Sequence, residues 1–254
     1  MEGRTSKVRF GGGTKAFDIR RSTFDSCRVL YVVATPIGNL GDVTLRALEI
    51  LRAADVIAAE DTRHSQILLR HHGIEAKALI SFHEHNEAQR TAELLERLKA
   101  GDTIAIVTDA GLPGISDPGA RLVRACQRED LAFTIVPGAS APSLAVVGSG
   151  FELECGWYFG GFLPNKSGGR EREVKLALER ECVSAFFESP HRLQRTLDLI
   201  ASLEPDREVC VARELTKKFE EYRRGSARDV AAHYQSRPPK GEIVLVVNAR
   251  RRAR

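Results

Sequence analysis

The chain has 254 residues, 43% hydrophobic and 28% charged, with a formal net charge of +4; that suits one large globular domain or two small ones. No apolar run approaches the roughly 20 residues of a membrane helix, and the first residues lack the apolar core of a secretory signal. The five cysteines are scattered, with no CxxC pair, which excludes a disulfide framework or a zinc site, so a cytoplasmic protein with no membrane or metal partner is expected.

The positive charge is concentrated at the ends. Residues 1–27 carry six Lys/Arg against three Asp/Glu, and residues 250–254 carry four Arg, which leaves −3 for residues 28–249. Any grip on phosphate by the body of the chain therefore needs local clusters and not a global field. Residues 1–27, with Gly11, Gly12 and Gly13 and no periodicity, read as a flexible leader, and 250–254 as a basic, solvated tail.

From Val29 onward, short Val/Ile/Ala-rich runs alternate with amphipathic stretches. Strands are predicted at Val29–Ala34, Val56–Ala59, Ala78–Phe82, Thr103–Asp109 and Phe133–Val136. Helices are predicted at Val43–Ala53, Thr62–His72, Asn86–Ala100 and Pro118–Arg128. Leu45, Leu48 and Leu51, like Leu94, Leu95 and Leu98, fall on one helical face. This alternation predicts βαβ units and a mainly parallel sheet covered on both sides. The texture changes near Gly148–Glu154. Beyond it, strands are predicted at Trp157–Phe162, Ala185–Glu188, Glu208–Arg213, Glu220–Arg224 and Glu242–Asn248, and helices at Glu171–Glu181, His191–Leu203 and Ala227–Tyr234. Two successive strands suggest an antiparallel pair and hence a mixed sheet. The reading is an α/β protein with an N-terminal domain over 28–150 and a C-terminal domain over 151–249.

Ligands of open parallel sheets sit at the carboxyl ends of the strands. The loop after the first strand, Thr35-Pro36-Ile37-Gly38-Asn39-Leu40-Gly41-Asp42, has a proline and two glycines for a tight turn, and Asp42 is placed to cap the next helix. The loop after the fourth strand, Thr108-Asp109-Ala110-Gly111-Leu112-Pro113-Gly114-Ile115-Ser116-Asp117-Pro118-Gly119, is more specific. Three glycines and two prolines build a rigid backbone that a ligand can approach without meeting a wall of side chains. Asp109 is placed to bond an amine or a ribose hydroxyl, and Asp117-Pro118 reads as a helix start with Asp at N-cap and Pro at N1. Neither GxGxxG nor GxxxxGK[ST] is present, which disfavours a nicotinamide or triphosphate site.

Six segments occur in order: TPIGNLGD, AEDTRHS, TDAGLPGISDPG, VPGASA, FFESPHR and RELTKKFEE. Over residues 28–249 the chain resembles the tetrapyrrole-methylase superfamily of S-adenosylmethionine-dependent methyltransferases. Within it, the chain is similar to the branch that 2′-O-methylates a decoding-region cytidine of bacterial small-subunit ribosomal RNA. The resemblance implies two α/β domains, a homodimer, and S-adenosylmethionine held in the cleft between the domains. It places Pro36 near the cofactor, with Asp109, Ala110, Gly111, Ile115 and Ser116 along its methionine and ribose, and adds contacts from Ser140 and Ala141. Phe187, Ala212 and the Gly241-Glu242-Ile243 segment would enclose the adenine.

Transfer to a ribose hydroxyl calls for a proton acceptor and an orienting cation. Glu188, His191 or Glu214 is the expected acceptor, with Arg213 or Lys217 stabilising the alkoxide or gripping a phosphate. Alternatively, Glu188 and Arg213 form a structural ion pair and His191 caps a helix. Asp61, Thr62, Arg63 and His64 either position substrate or form a helix N-terminus capped by Thr62. RNA contact is expected from a mobile basic loop of Lys166, Arg170, Arg172 and Lys175, and from Lys217, Lys218, Arg223 and Arg224 with Phe219 and Tyr222 between them. Two rival functions stand beside this one: methylation of a tetrapyrrole precursor, whose carboxylates the same clusters would hold, and a non-catalytic RNA-binding ribosome-assembly factor without cofactor affinity.

Overall fold

The computed structural model describes residues 29–250. The expected leader, and all of the basic tail but Arg250, lie outside the described residues. The first sheet comprises β1 (Val29–Val33), β2 (Val56–Ala59), β3 (Leu79–Ser81), β4 (Ile104–Val107) and β5 (Ala132–Val136) in the order β3-β2-β4-β1-β5, with every pair parallel. Strand side chains alternate between faces, and in the inner strands β1, β2 and β4 both faces are buried. Tyr31, Val33, Ile57 and Val107 pack with Leu51 of α1 (Leu45–Ala53) and Leu69 of α2 (Thr62–His71). Leu30, Val32, Ile104 and Ile106 pack with Leu94 and Leu98 of α3 (Glu87–Ala100) and Leu122 of α4 (Ala120–Arg128). This two-sided burial is why these strands read as continuous apolar runs.

The second sheet is mixed, as expected. It comprises β6 (Trp157–Phe162), β7 (Val183–Glu188), β8 (Glu208–Arg213), β9 (Glu221–Ser226) and β10 (Ile243–Val247) in the order β6-β7-β10-β8-β9. Only β6 and β7 run parallel; β10 is antiparallel to both β7 and β8, and β8 and β9 form the predicted antiparallel pair. On one face, Phe186, Val209, Val211 and Leu245 pack against α6 (Ser167–Glu179), α7 (Pro190–Leu203) and α8 (Ala227–Ser236). On the other lies α5 (Ala141–Ser149), whose Ala145 and Val146 bury against Ala185, Cys210, Ala212 and Val244. The sequence reading has no helix at α5. Its run APSLAVVGS lacks the alternation of polar and apolar positions that marks an amphipathic helix, and its helical form is set by Pro142 in the first turn and by Gly150, left-handed at φ 66°, at the end.

Several ends differ from expectation. Thr44, not Asp42, caps α1, by accepting from the Ala47 N–H at 3.1 Å; Asp42 closes a short 3-10 turn capped by Asn39. Asp61, not Thr62, caps α2, accepting from the Arg63 N–H at 2.8 Å; a carboxylate one residue earlier reaches the orphan N–H better. Helix α4 starts after Gly119, at φ 133°, so Asp117 and Pro118 remain in the loop; the Gly119 N–H donates instead to Glu87 Oε1 at 3.0 Å. The expected mobile basic loop is largely helix: Arg170 is buried in α6, and Lys175 pairs with Glu171 one turn away at 2.7 Å.

A Cβ at Gly148 would overlap the Tyr222 ring that presses on α5, whereas one at Gly168 in α6 would meet nothing. Gly→Ala within a helix favours folding by about 1 kcal/mol, and overpacking costs about 1–3 kcal/mol. Urea unfolding should therefore show Gly148→Ala as net destabilised and Gly168→Ala as unchanged or more stable. Equal effects would contradict the packing of α5 on β9.

Candidate active site

The carboxyl edge of the first sheet carries loops in which main chain meets main chain. Thr35 and Gly111 form an isolated antiparallel bridge, Thr35 N–H to Gly111 O at 2.9 Å and Gly111 N–H to Thr35 O at 3.1 Å. The Thr35 hydroxyl donates to Thr108 O at 3.0 Å. Gly111 holds φ 84° and Ser116 holds φ 66°, a left-handed conformation that is rare for serine and concentrates at functional sites.

The second sheet supplies the facing wall. Register places Ile243, at the start of β10, between Glu188 at the end of β7 and Arg213 at the end of β8; one step along, Val244 lies between Phe187 and Ala212. Phe187 also touches Phe162 at the end of β6, with ring centroids 5.1 Å apart. Behind this row, Glu214 at φ 52° is locked to β10's entry: its N–H donates to Glu242 O at 2.9 Å, and its Oε1 accepts from the Glu242 N–H at 3.0 Å. Gly241, at φ 85°, sits so close to the Glu214 carboxylate that a Cβ there would overlap it.

Between the two walls lies a cavity of about 340 Å³, within the range of small-molecule sites. Of the residues expected at a cofactor, Ala110, Gly111, Ile115, Ser116, Ser140 and Ala141 line it from the first side, and Phe187, Ala212, Gly241, Glu242 and Ile243 from the second. Pro36 and Asp109 do not. Pro36 is buried, and the Asp109 carboxylate accepts from the Asp61 N–H at 3.2 Å, while its own N–H donates to Glu60 at 3.3 Å. The sequence reading passed over Ile37, Leu112, Phe162, Leu215 and Asp117, which also line the cavity. The first four are ordinary apolar residues in sequence; only Asp117 carried a signal, and its proline neighbour made it read as a cap.

The expected catalytic residues divide. Glu188 lines the wall, but its side chain is 0% exposed and fully engaged: it accepts from the Ser189 N–H and the Thr196 hydroxyl, both at 2.7 Å, and pairs with Arg192 at 2.6 Å. The alternative Glu188–Arg213 pair does not form either, because Arg213 pairs with Glu221 at 3.0 Å. His191 is exposed and does not line the cavity; Ser189 caps its helix. Lys217 bridges Glu214 at 3.0 Å and Glu242 at 2.9 Å. Burial works to raise the Glu214 carboxyl, but hydrogen bonds from the Glu242 N–H and Lys217 outweigh it and hold the group below its ordinary value. For Lys217, burial opposes the charge and the two carboxylates restore it, leaving the ammonium above its usual range. Asp117 differs from all of these: burial first, then the charges of Glu60 and Asp109, push its carboxyl up to about 6.

Arg63 and His64 are exposed at the start of α2, with Arg63 folded back on Asp61 at 2.7 Å. Lys218 and Phe219 are exposed beside Lys217, the ammonium 5.6 Å from the ring. Among the described residues there is no His/Cys/Asp/Glu group suited to a metal ion, and no helix is long and apolar enough to cross a membrane.

Two α/β lobes whose small-residue loops close on one crevice define the class to which this chain belongs, the tetrapyrrole (corrin/porphyrin) methylases, whose family model matches residues 29–231. The chain is 46% identical to a ribosomal RNA small subunit methyltransferase I of Thermotoga maritima over 221 residues, covering 87% of this chain and 98% of that protein. It is also 46% identical to the protein of that name from Synechocystis over 220 residues, 86% of this chain and 78% of that one. Among solved structures, a cobalt precorrin-4 methyltransferase of cobalamin biosynthesis superposes with a TM-score of 0.64 over 87% of this chain and 95% of its own, at 19% identity.

The raised Asp117 carboxyl has a consequence for stability. Its folded-state value exceeds its unfolded value, so ionisation opposes folding. That cost is present above about pH 6 and is relieved as the pH falls to about 4, below which both states are protonated. Asp117→Asn should therefore melt higher than the parent protein at neutral pH, and the gain should shrink steadily as the pH is lowered toward about 4. A gain that does not vary with pH contradicts this environment for Asp117.

Proposed function

We propose that this protein transfers a methyl group from S-adenosylmethionine to a ribose 2′-oxygen of small-subunit ribosomal RNA, at a decoding-region cytidine, and works in the cytoplasm as a homodimer. The observation that carries the reading is the convergence of the two lobes on a crevice lined by main chain and small side chains, in a chain 46% identical to ribosomal RNA small subunit methyltransferases. The crevice fits the cofactor. Gly111 and Gly241 are left-handed and bare where backbone approaches the cavity, and Phe162, Phe187, Ala212 and Ile243 provide an apolar slot for a flat base. Leu144 and Val147 are exposed on α5, as are Trp157 and Phe162 on β6, which supports a further interface.

When bound, S-adenosylmethionine supplies an activated methyl carbon on a sulfonium. Gly111, Ser116, Ser140 and Ala141 would hold its amino-acid and ribose portions, and Phe187, Ala212 and Ile243 its base. Leu215, buried in the wall, helps to exclude water. The proton acceptor is Asp117, whose carboxyl titrates near working pH and lines the cavity. Glu188 is a positioning residue, since every contact of its carboxylate faces inward. Lys217, neutralised by two carboxylates, fixes the Glu214–Glu242 corner. Lys218 and Phe219, both exposed, supply a cation and a stacking face for RNA.

Titration calorimetry should detect S-adenosylmethionine binding, and labelled methyl should pass to small ribosomal subunits or their RNA, not to a tetrapyrrole precursor. Absence of cofactor binding would favour the non-catalytic assembly factor. Asp117→Asn should lower kcat by ~10²–10⁴-fold while cofactor affinity changes little, and full activity of that variant removes Asp117 from the mechanism. Lys218→Ala with Phe219→Ala should raise KM for RNA and leave cofactor binding intact.

A further inference from the structure

Helices α3 and α4 enclose a groove on the outer face of the first lobe, away from the crevice walls. Its volume is about 540 Å³. Small residues, Ala88 and Ala92 of α3 and Ala125 of α4, line it and leave space between the helices, with the buried Thr91 and Leu95 of α3 beside them. Arg121, Arg124 and Arg128 line it from α4, all exposed. Their spacing of three and four residues puts all three on one helical face, over about 10 Å of axis.

Like charges at that spacing repel one another. Compensation is meagre. The one carboxylate lining the groove, Glu87, lies 3.6 Å from Arg121 and is already engaged by the Gly119 N–H. Among the described residues, Arg124 and Arg128 have no ion-pair partner. A second observation concerns the lining. Thr91 is 93% buried by its 7% exposure, it lines the groove, and its hydroxyl oxygen has no hydrogen-bond partner. Buried hydroxyls are ordinarily satisfied. Three guanidinium groups along one edge of a groove that also holds an unused hydroxyl match a run of phosphate oxygens.

We propose that the α3–α4 groove is a second RNA-binding site, which grips the phosphate backbone of the substrate at a distance from the methylated nucleotide. The proposal rests on the ribosomal RNA reading of the crevice and extends it. Glu87 links the two places: through the Gly119 N–H it holds the end of the loop whose Ile115, Ser116 and Asp117 line the crevice. RNA lying along α4 toward its N-terminus thus runs to the crevice mouth. The contact is to phosphate and not to bases, so it adds affinity and register without sequence preference.

The test uses the full chain with in vitro transcribed small-subunit ribosomal RNA, measuring affinity across a salt series. Arg124→Gln with Arg128→Gln should weaken binding and make the dependence of log K on log salt shallower by about 1.4, which is about 0.7 for each lost phosphate contact on single strands. Arg124→Lys with Arg128→Lys keeps both charges and should retain most of the slope. Cofactor affinity and melting temperature, measured on the same preparations, should stay at parental values and so exclude a folding defect. A Gln variant that binds cofactor normally and shows the parental salt slope overturns the groove, provided the parental protein methylates this RNA. A parental protein that neither binds cofactor nor methylates RNA overturns the reading of the crevice, and the groove assignment falls with it.

Discussion

The two main-chain hydrogen bonds between Thr35 and Gly111 hold together the loops on which the site depends. They join the turns after β1 and β4, neighbours at the centre of the first sheet, and pull them into contact over Ile37, which packs in turn into the core beneath α5 on the second sheet. The bridge uses donors and acceptors that would otherwise need water in a nearly closed space. It also demands the left-handed turn at Gly111, where a side chain would be strained. With these loops fixed, the Asp109 carboxylate points to Asp61 and Asp117 is left facing the cavity with two carboxylates behind it. The acid that titrates near neutrality is thus a product of loop geometry.

The second lobe solves a similar problem with charge. Glu188 is buried at the end of β7 with an arginine, a hydroxyl and a backbone N–H around it. Removing one partner from such a group costs several kcal/mol, about 3–5 for a buried pair, because a carboxylate without donors is intolerable in the interior. The cluster pins the start of α7 to the sheet, and with it the wall formed by Ser189 and Pro190. The Glu214–Lys217–Glu242 corner does the same for the turn into β10, and backbone strain at Glu214 is held there by those hydrogen bonds. Charged residues in this lobe therefore serve geometry first.

This division explains how one architecture accommodates different chemistry. The crevice is lined by main chain, by small residues such as Gly111, Ala141 and Ala212, and by larger apolar ones such as Phe162, Phe187 and Leu215. The cobalt precorrin-4 methyltransferase shares the fold at 19% identity, a likeness that speaks to architecture alone. The exposed Lys218–Phe219 pair and the arginine-lined groove lie outside the crevice walls, where such a fold is free to vary without disturbing its core.

By itself the sequence determined the two sheets and nearly every strand, because buried parallel strands must be continuously apolar and the antiparallel pair is forced by the short connection between Arg213 and Glu221. The glycines and alanine of TDAGLPGISDPG marked one loop of the crevice, and the family resemblance pointed to most of the remaining lining. Helix α5 was hidden because a helix buried among small residues has no polar face to show. The roles of individual charges were settled only in three dimensions. Glu188, Arg213 and Lys217 were plausible reagents in sequence, yet the fold engages each in ion pairs, Glu188 with Arg192, Arg213 with Glu221 and Lys217 with Glu214 and Glu242; Asp117 looked like a helix cap and became a cavity acid. A carboxylate's chemistry depends on which donors and charges lie within a few ångströms, and those neighbours, such as Glu60 for Asp117, come from strands far apart in the chain.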